Sequence, residues 1–472
     1  LEILDKRNKS FLTFYNAHTG RNQQASKVSR SSFDSEVYRI LNASIPLEFA
    51  PHLFGSASAN GLMNCEIVVE GANIASLQQS PPCTQPSDLP SFDAAGGIVL
   101  PRFVDVHTHL DRAHMWARSP NLDGTFAGAR NAAIEGMEKW RADDIRQRME
   151  FSLACAYSHG TGAIRTHLDW IGEATGLSWS VFAETREHWK GKMTLQAAAL
   201  FPVELAVDDE AQFLEIVRTV VKYEGVLGGV TCLDEAPGPK LELALDRLFK
   251  AATANGLDLD LHVDETLSLR SCSLERIAIA AVRNRFNGKI LAGHCCSLAS
   301  APEEDLWRII DRVREAHMAV VSLPMCNMYL QDRAPGRTPR LRGVTPVHEL
   351  DSAGIPVLIA SDNVQDPFYP YGDLDMLEVF REATRILHLD HSNRPWINML
   401  GKSAADLAGI PTYGRVAVGQ PADLVITSAR TIWELLSRPQ SDRLVLVTGR
   451  LIESGPPDYR ELDEDRIRSL NR

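Results

Sequence analysis

The chain is short of several features that would classify it at once. Its eight cysteines form no CxxC framework, which removes the zinc-ribbon and dithiol-redox classes and fits buried free thiols in a reducing compartment. No stretch approaches the roughly 20 apolar residues needed to span a bilayer. Basic residues are outnumbered, 49 Lys and Arg against 61 Asp and Glu, for a formal charge of -12. That balance argues against broad nucleic-acid or anionic-membrane binding. There is no internal repeat and no low-complexity tract. The opening stretch "LEILDKRNKSFLTFYNAHTGRNQQASKVSRSSFDS" is basic and Ser/Asn-rich, without the apolar core and cleavage site of a secretory signal. Residues 1–37 are expected to form a poorly ordered extension, and the protein is expected to be cytoplasmic. The oligomeric state is left open, a homo-oligomer included.

What is present is a globular chain of 472 residues with 44% hydrophobic content. From "GGIVLPRFVDVH" onward, strand-like cores near 103–109, 162–168, 193–201, 226–232, 258–264, 289–295, 318–324 and 355–361 alternate with amphipathic helical patterns. In "DDIRQRMEFSLACAYSHG", Ile145, Met149, Leu153 and Ala156 share one face and Gly160 follows at the stop. The expected fold is α/β, a (β/α)8 TIM-like barrel over 101–403. A doubly wound open sheet would need a Gly-rich phosphate loop after the first strand, and none is there. Strand-like segments at 38–100 and 404–458 are expected to combine as a small β-sandwich domain.

"FVDVHTHLDR" places His107 and His109 two apart at the end of an apolar run, where an extended strand points both imidazoles the same way. The fifth strand ends in His262 with Glu265 beyond it, the sixth in His294 and the eighth in Asp362. Polar residues at equivalent strand ends can face one cavity. Three or four histidines with a carboxylate suit a first-row divalent ion. A cation held there would lower the pKa of its water toward neutrality.

These segments, with "IRTHLDW", "LHVDE", "AGHCCS", "NMYLQDR", "SDNVQDPFYPYGDLDMLEV" and "GRVAVGQPADLVI", resemble the amidohydrolase superfamily and its cytosine deaminase branch. The resemblance implies one zinc or iron ion per chain, held by His107, His109, His262 and Asp362. "GGVTCLDE" offers no lysine to bridge two metals, so a mononuclear site is implied. By the same resemblance Glu265 shuttles a proton to the ring nitrogen and His294 orients the attacking hydroxide. Asp362 also accepts the proton from that water. The implied reaction is hydrolytic deamination of a pyrimidine, triazine or purine type of ring. A ring-opening hydrolase of a cyclic amide or imide, and a metal-binding scaffold without turnover, stay open beside it.

The remaining candidates concern substrate and support. His167 can back the ligands or be a plain hydrogen-bonded strand-end histidine; Gln331 and Asn327 could fix a substrate edge or satisfy loop backbone, and Gln331 could also stand behind the ligands. Phe126 and Phe368, in loops after the first and eighth strands, could sandwich a flat heterocycle. Two positions depart from the cytosine deaminase pattern. Val203 follows "FP" where those enzymes carry glutamine, and Asn363 follows the metal Asp where they usually carry a second Asp. Both changes fall on substrate recognition, so cytosine is not expected to be the best substrate.

Overall fold

The computed structural model describes residues 30–463, apart from 53–60, 80–87, 171–175, 232–237, 269, 393 and 454. In chain order the strands are β1 (Val37–Pro46), β2 (Leu62–Glu70), β3 (Asn73–Gln79), β4 (Ser91–Asp93), β5 (Val99–Pro101), β6 (Phe103–Thr108), β7 (Thr161–Asp169) and β8 (Thr194–Leu200). They continue with β9 (Leu227–Val230), β10 (Leu259–Val263), β11 (Ile290–His294), β12 (Ala319–Ser322), β13 (Val357–Ile359), β14 (Leu424–Ile426), β15 (Leu444–Val447) and β16 (Arg450–Leu451). They divide between two compact units.

The first unit takes the described residues up to Pro101 together with Arg415–Glu453. It holds two four-stranded sheets, in the orders β3-β2-β1-β4 and β16-β15-β14-β5. The second sheet joins the two halves of the chain, because β14 pairs antiparallel with β5 on one side and β15 on the other. Tyr38 is buried in β1 and its hydroxyl donates to the Gly449 carbonyl at 2.7 Å. Residues 1–29 of the expected extension lie outside the described residues. Its last part belongs to the fold: the turn Ser31–Asp34 buries Phe33 against Tyr38 and Phe92, with ring centroids 5.4 and 4.9 Å away.

The second unit carries Arg102–Gly414 and the described residues after 454. Here β6-β7-β8 form one parallel sheet and β13-β12-β11-β10-β9 another. Isolated parallel bridges link Ala198 to Val226, Pro202 to Val230, and Thr108 to Asp362. Every residue of β6, β7 and β10 through β13 is buried, as parallel strands covered on both faces require. Helices intervene between the strands. Ala142–Ser158 presents Ile145, Met149, Leu153 and Ala156 inward, with Asp143 and Asp144 in its first turn where the helix dipole favours them. A second helix, Pro239–Asn255, stops at Gly256, whose φ of 63° needs no Cβ. The expected start of the small domain at 404 is displaced to Arg415, because Ala404, Ala405 and Ala408 of the helix Lys402–Ala408 pack in one cluster with Val104, Leu291 and Leu358. Among the described residues no helix is long and apolar enough to cross a membrane.

Candidate metal centre

The site assembles from strand ends. β6 carries His107 and leads into His109; β10 carries His262; β11 ends at His294; Asp362 follows β13. The backbone N–H of Asp362 donates to the His107 carbonyl at 2.8 Å, which brings the eighth strand end against the first. Three of these strand ends hold non-glycine residues at positive φ: Asp264 at 48°, His294 at 70° and Asp362 at 65°. Such backbone is costly and persists where the surroundings dictate it, typically at working sites.

Donor atoms converge. His262 Nε2 lies 3.1 Å from both His107 Nε2 and His109 Nε2. Asp362 Oδ1 lies 3.3 Å from His109 Nε2 and 3.7 Å from His107 Nε2. A tetrahedron of bonds near 2.05 Å has edges of about 3.3 Å, so these spacings fit one first-row divalent ion. The Nδ1 atoms of the three histidines and both Asp362 oxygens are buried and make no hydrogen bond among the described residues. Burial above all holds the three histidines well below the usual imidazole range, helped at His107 and His109 by the charge of Arg112. They are therefore neutral, the form that ligates. Burial also pushes Asp362 up to about 7, a cost that a bound cation would offset.

Glu265 and His294 flank this cluster, with Glu265 Oε1 3.5 Å from His294 Nδ1. Burial, and then the charge of Asp362, raises Glu265 well above the carboxylate range, so it holds a proton to give. Its loop is fixed twice. Asp264 accepts from Ser271 Oγ at 2.6 Å and from the backbone N–H groups of Ser273 and Leu274 at 3.0 and 3.1 Å. Gln331 Nε2 donates to the Glu265 carbonyl at 3.0 Å, so Gln331 supports the loop rather than a substrate edge. His294 is depressed to about 3 by burial and by the charge of Arg112. Its Nδ1 accepts from Asn327 Nδ2 at 2.9 Å, leaving the proton on a buried Nε2 that has no partner among the described residues. His167 is wholly buried, its ring centroid 4.1 Å from that of His107 and 4.6 Å from that of His262.

Substrate candidates sit differently from the sequence expectation. Phe126 and Phe368 touch edge to face at 5.5 Å and 66°, so no heterocycle fits between them. Asn363 has both polar atoms engaged: Nδ2 donates to Asp366 Oδ2 at 2.6 Å, and Oδ1 accepts from Cys326 Sγ at 3.4 Å. Val203 is fully buried, and a Cβ on Gly229 would meet its Cγ1 at 2.7 Å. Sequence reasoning passed over Arg112, Asp169 and Asp366. The guanidinium of Arg112 ion-pairs with both carboxylates, at 3.0 and 3.3 Å, in the interior. All three stand inside the quoted motifs, yet nothing in their spacing reveals that they are buried. The end of the fourth strand, where a bridging lysine is missing, falls partly in 232–237, outside the described residues.

The amidohydrolase family matches residues 223–452. A pterin deaminase of Rhizobium rhizogenes is 52% identical over 411 residues, covering 87% of this chain and 92% of that protein. An N-isopropylammelide isopropyl amidohydrolase of Pseudomonas is 29% identical over 374 residues, 76% of this chain and 87% of the relative. Among solved structures, 5-methylcytosine deaminase from Klebsiella pneumoniae liganded with phosphonocytosine superposes with a TM-score of 0.74 at 22% identity. That overlap covers 89% of this chain and 99% of the other, and it shows a shared fold.

Proposed function

This chain belongs to the amidohydrolase superfamily, in its deaminase branch, and from that premise we propose that it removes the 2-amino group of a pterin. The reaction is hydrolytic deamination of a nitrogen heterocycle. The observation that carries the reading is the convergence of His107, His109, His262 and Asp362 beside a protonated Glu265. These four residues would hold one zinc or iron ion. When bound, such an ion supplies a nucleophile from water at neutral pH and polarises the reacting centre.

The chain's own groups then have separate tasks. Asp362 accepts the proton that the attacking water gives up. Glu265 passes a proton to the ring nitrogen beside the attacked carbon. The His294 Nε2–H, fixed by Asn327 on the other side of the ring, donates to the attacking oxygen and supports charge as it develops. The tetrahedral carbon collapses with loss of ammonia, converting C–NH2 to C=O at the cost of one water. His167 packs against the rings of His107 and His262 and holds their orientation. Val203, in place of the glutamine of the cytosine deaminase pattern, leaves a cytosine ring without the one partner that glutamine supplies, at a cost on the order of 1–3 kcal/mol. We also read the eight parallel strands β6 to β13 as a closed barrel, through the bridges at Thr108, Ala198 and Pro202, and the two four-stranded sheets of the other unit as a sandwich. Purified metal-loaded protein given pterin tests the reading: it should release ammonia, and a lack of turnover with the metal in place would overturn it.

A further inference from the structure

Arg112 has more hydrogen-bonding capacity than its ion pairs use. Nη1 donates to both oxygens of Asp169, at 3.2 and 3.0 Å, and Nε lies 3.3 Å from Asp366 Oδ2. The Phe368 ring covers the guanidinium face at 4.7 Å from its centroid. Nη2 makes no hydrogen bond among the described residues. Of the guanidinium nitrogens only Nε is both enclosed and without a hydrogen bond. The residue keeps 6% exposure, which leaves Nη2 as the group that meets an incoming molecule.

Its place is beside the reacting centre. Arg112 follows His109 by three residues, and Asp366 ties it to Asn363, the neighbour of Asp362. Its charge acts on His109, Glu265, His294 and Asp362. Two carboxylates already balance that charge, and Asp111, which accepts from the Asp169 backbone N–H at 2.9 Å, adds a third acid nearby. An anionic group approaching Nη2 would meet Asp169, Asp366 and Asp111 as well. A neutral carbonyl oxygen takes the two N–H donors without that repulsion.

We propose that Nη2 of Arg112 binds a ring carbonyl, so that the site selects amino-oxo heterocycles over rings with no oxo group. This deepens the deaminase reading and rests on it. As the attacking oxygen adds to the ring, electron density moves onto the conjugated carbonyl oxygen, and the hydrogen bond from a cationic donor strengthens with it. Arg112 is then a substrate-binding residue that favours the transition state as well as the bound ring.

The test compares pterin, a 2-amino-4-oxopteridine, with 2-aminopteridine, which lacks the oxo group. Metal-loaded wild-type protein and Arg112→Lys are each measured for binding by calorimetry and for kcat/KM by ammonia release. Lysine keeps the charge for Asp169 and Asp366 but cannot present a second nitrogen in the same fork. Wild type should prefer the oxo ring by roughly a hundredfold or more, and Arg112→Lys should bring the two rings to within about fivefold of each other. Equal loss on both rings in Arg112→Lys would mark Arg112 as structural and overturn the proposal. Should the variant lose its metal, the wild-type comparison still decides: equal binding of the two rings, or binding of neither, overturns the contact. Tighter binding of pterin without ammonia would instead sink the deaminase reading and leave the Arg112 contact standing.

Discussion

The position of the His107 ring is set by a glycine of β11, a strand that does not pair with β6. A Cβ at Gly293 would lie 2.8 Å from His107 Cε1 and 3.2 Å from Nδ1, so Gly293→Ala should rotate the imidazole off the cluster. A roughly ten- to hundredfold loss of metal affinity is expected, measured by competition with a chelator. Unchanged affinity would mean that His107 is not a ligand. Glu265→Gln should keep its metal and lose about 10²- to 10⁴-fold in kcat, because it removes the proton carrier and leaves the donors; a fully active variant would take the shuttle role away. The convergence of His107, His109, His262 and Asp362 was legible in outline because all four stand at or just beyond strand ends, while their role as ligands was implied by the resemblance alone. Arg112 was not, since "HTHLDR" reads equally well with its last side chain in solvent. The edge-to-face contact of Phe126 with Phe368 is likewise a matter of tertiary packing, which loop aromatics do not declare.

One short helix, Pro324–Leu330, supports the residues proposed for acid–base work. Its Asn327 holds His294, its Cys326 meets Asn363, and Gln331 at its end holds the Glu265 loop. Asn327→Leu should therefore lower kcat by roughly ten- to a hundredfold with KM and metal content changed far less. A loss of metal in step with activity would show the helix acting only as scaffold. The parallel strands β6 to β13 were readable as elements because each is a compact apolar run; seven of the eight sequence-derived cores span the strand that forms there, and the second, 162–168, falls inside the longer β7. Element boundaries were harder: "KSAADLAG" carries three alanines into the cluster of Val104 and Leu358, and small residues give a weak apolar signal. The 3-10 turn at Ser31–Asp34 was hidden by its polar surroundings, with Phe33 the single large apolar residue in it.

At the scale of the whole chain, the small unit cannot be completed from one end. β5 pairs with β14, and β1 to β4 supply the other sheet. Deleting residues 415–472 should strip β5 of its neighbour, expose apolar edge, and leave the protein in the insoluble fraction; a soluble, active truncation would contradict that dependence. The pairing was foreseeable in outline from strand-like segments flanking the region of alternating strands and helices, though not which strand would carry the junction. Net charge carried no information on the substrate, because the groups proposed to read it, around Arg112 and Glu265, are few and buried. The fate of the amino group is the most direct test of the proposed reaction. With about one equivalent of bound metal, the protein should release one ammonia per pterin consumed, at least roughly tenfold faster than from cytosine. Ring absorbance that changes without ammonia, or a metal-replete protein that leaves pterin untouched, would contradict it.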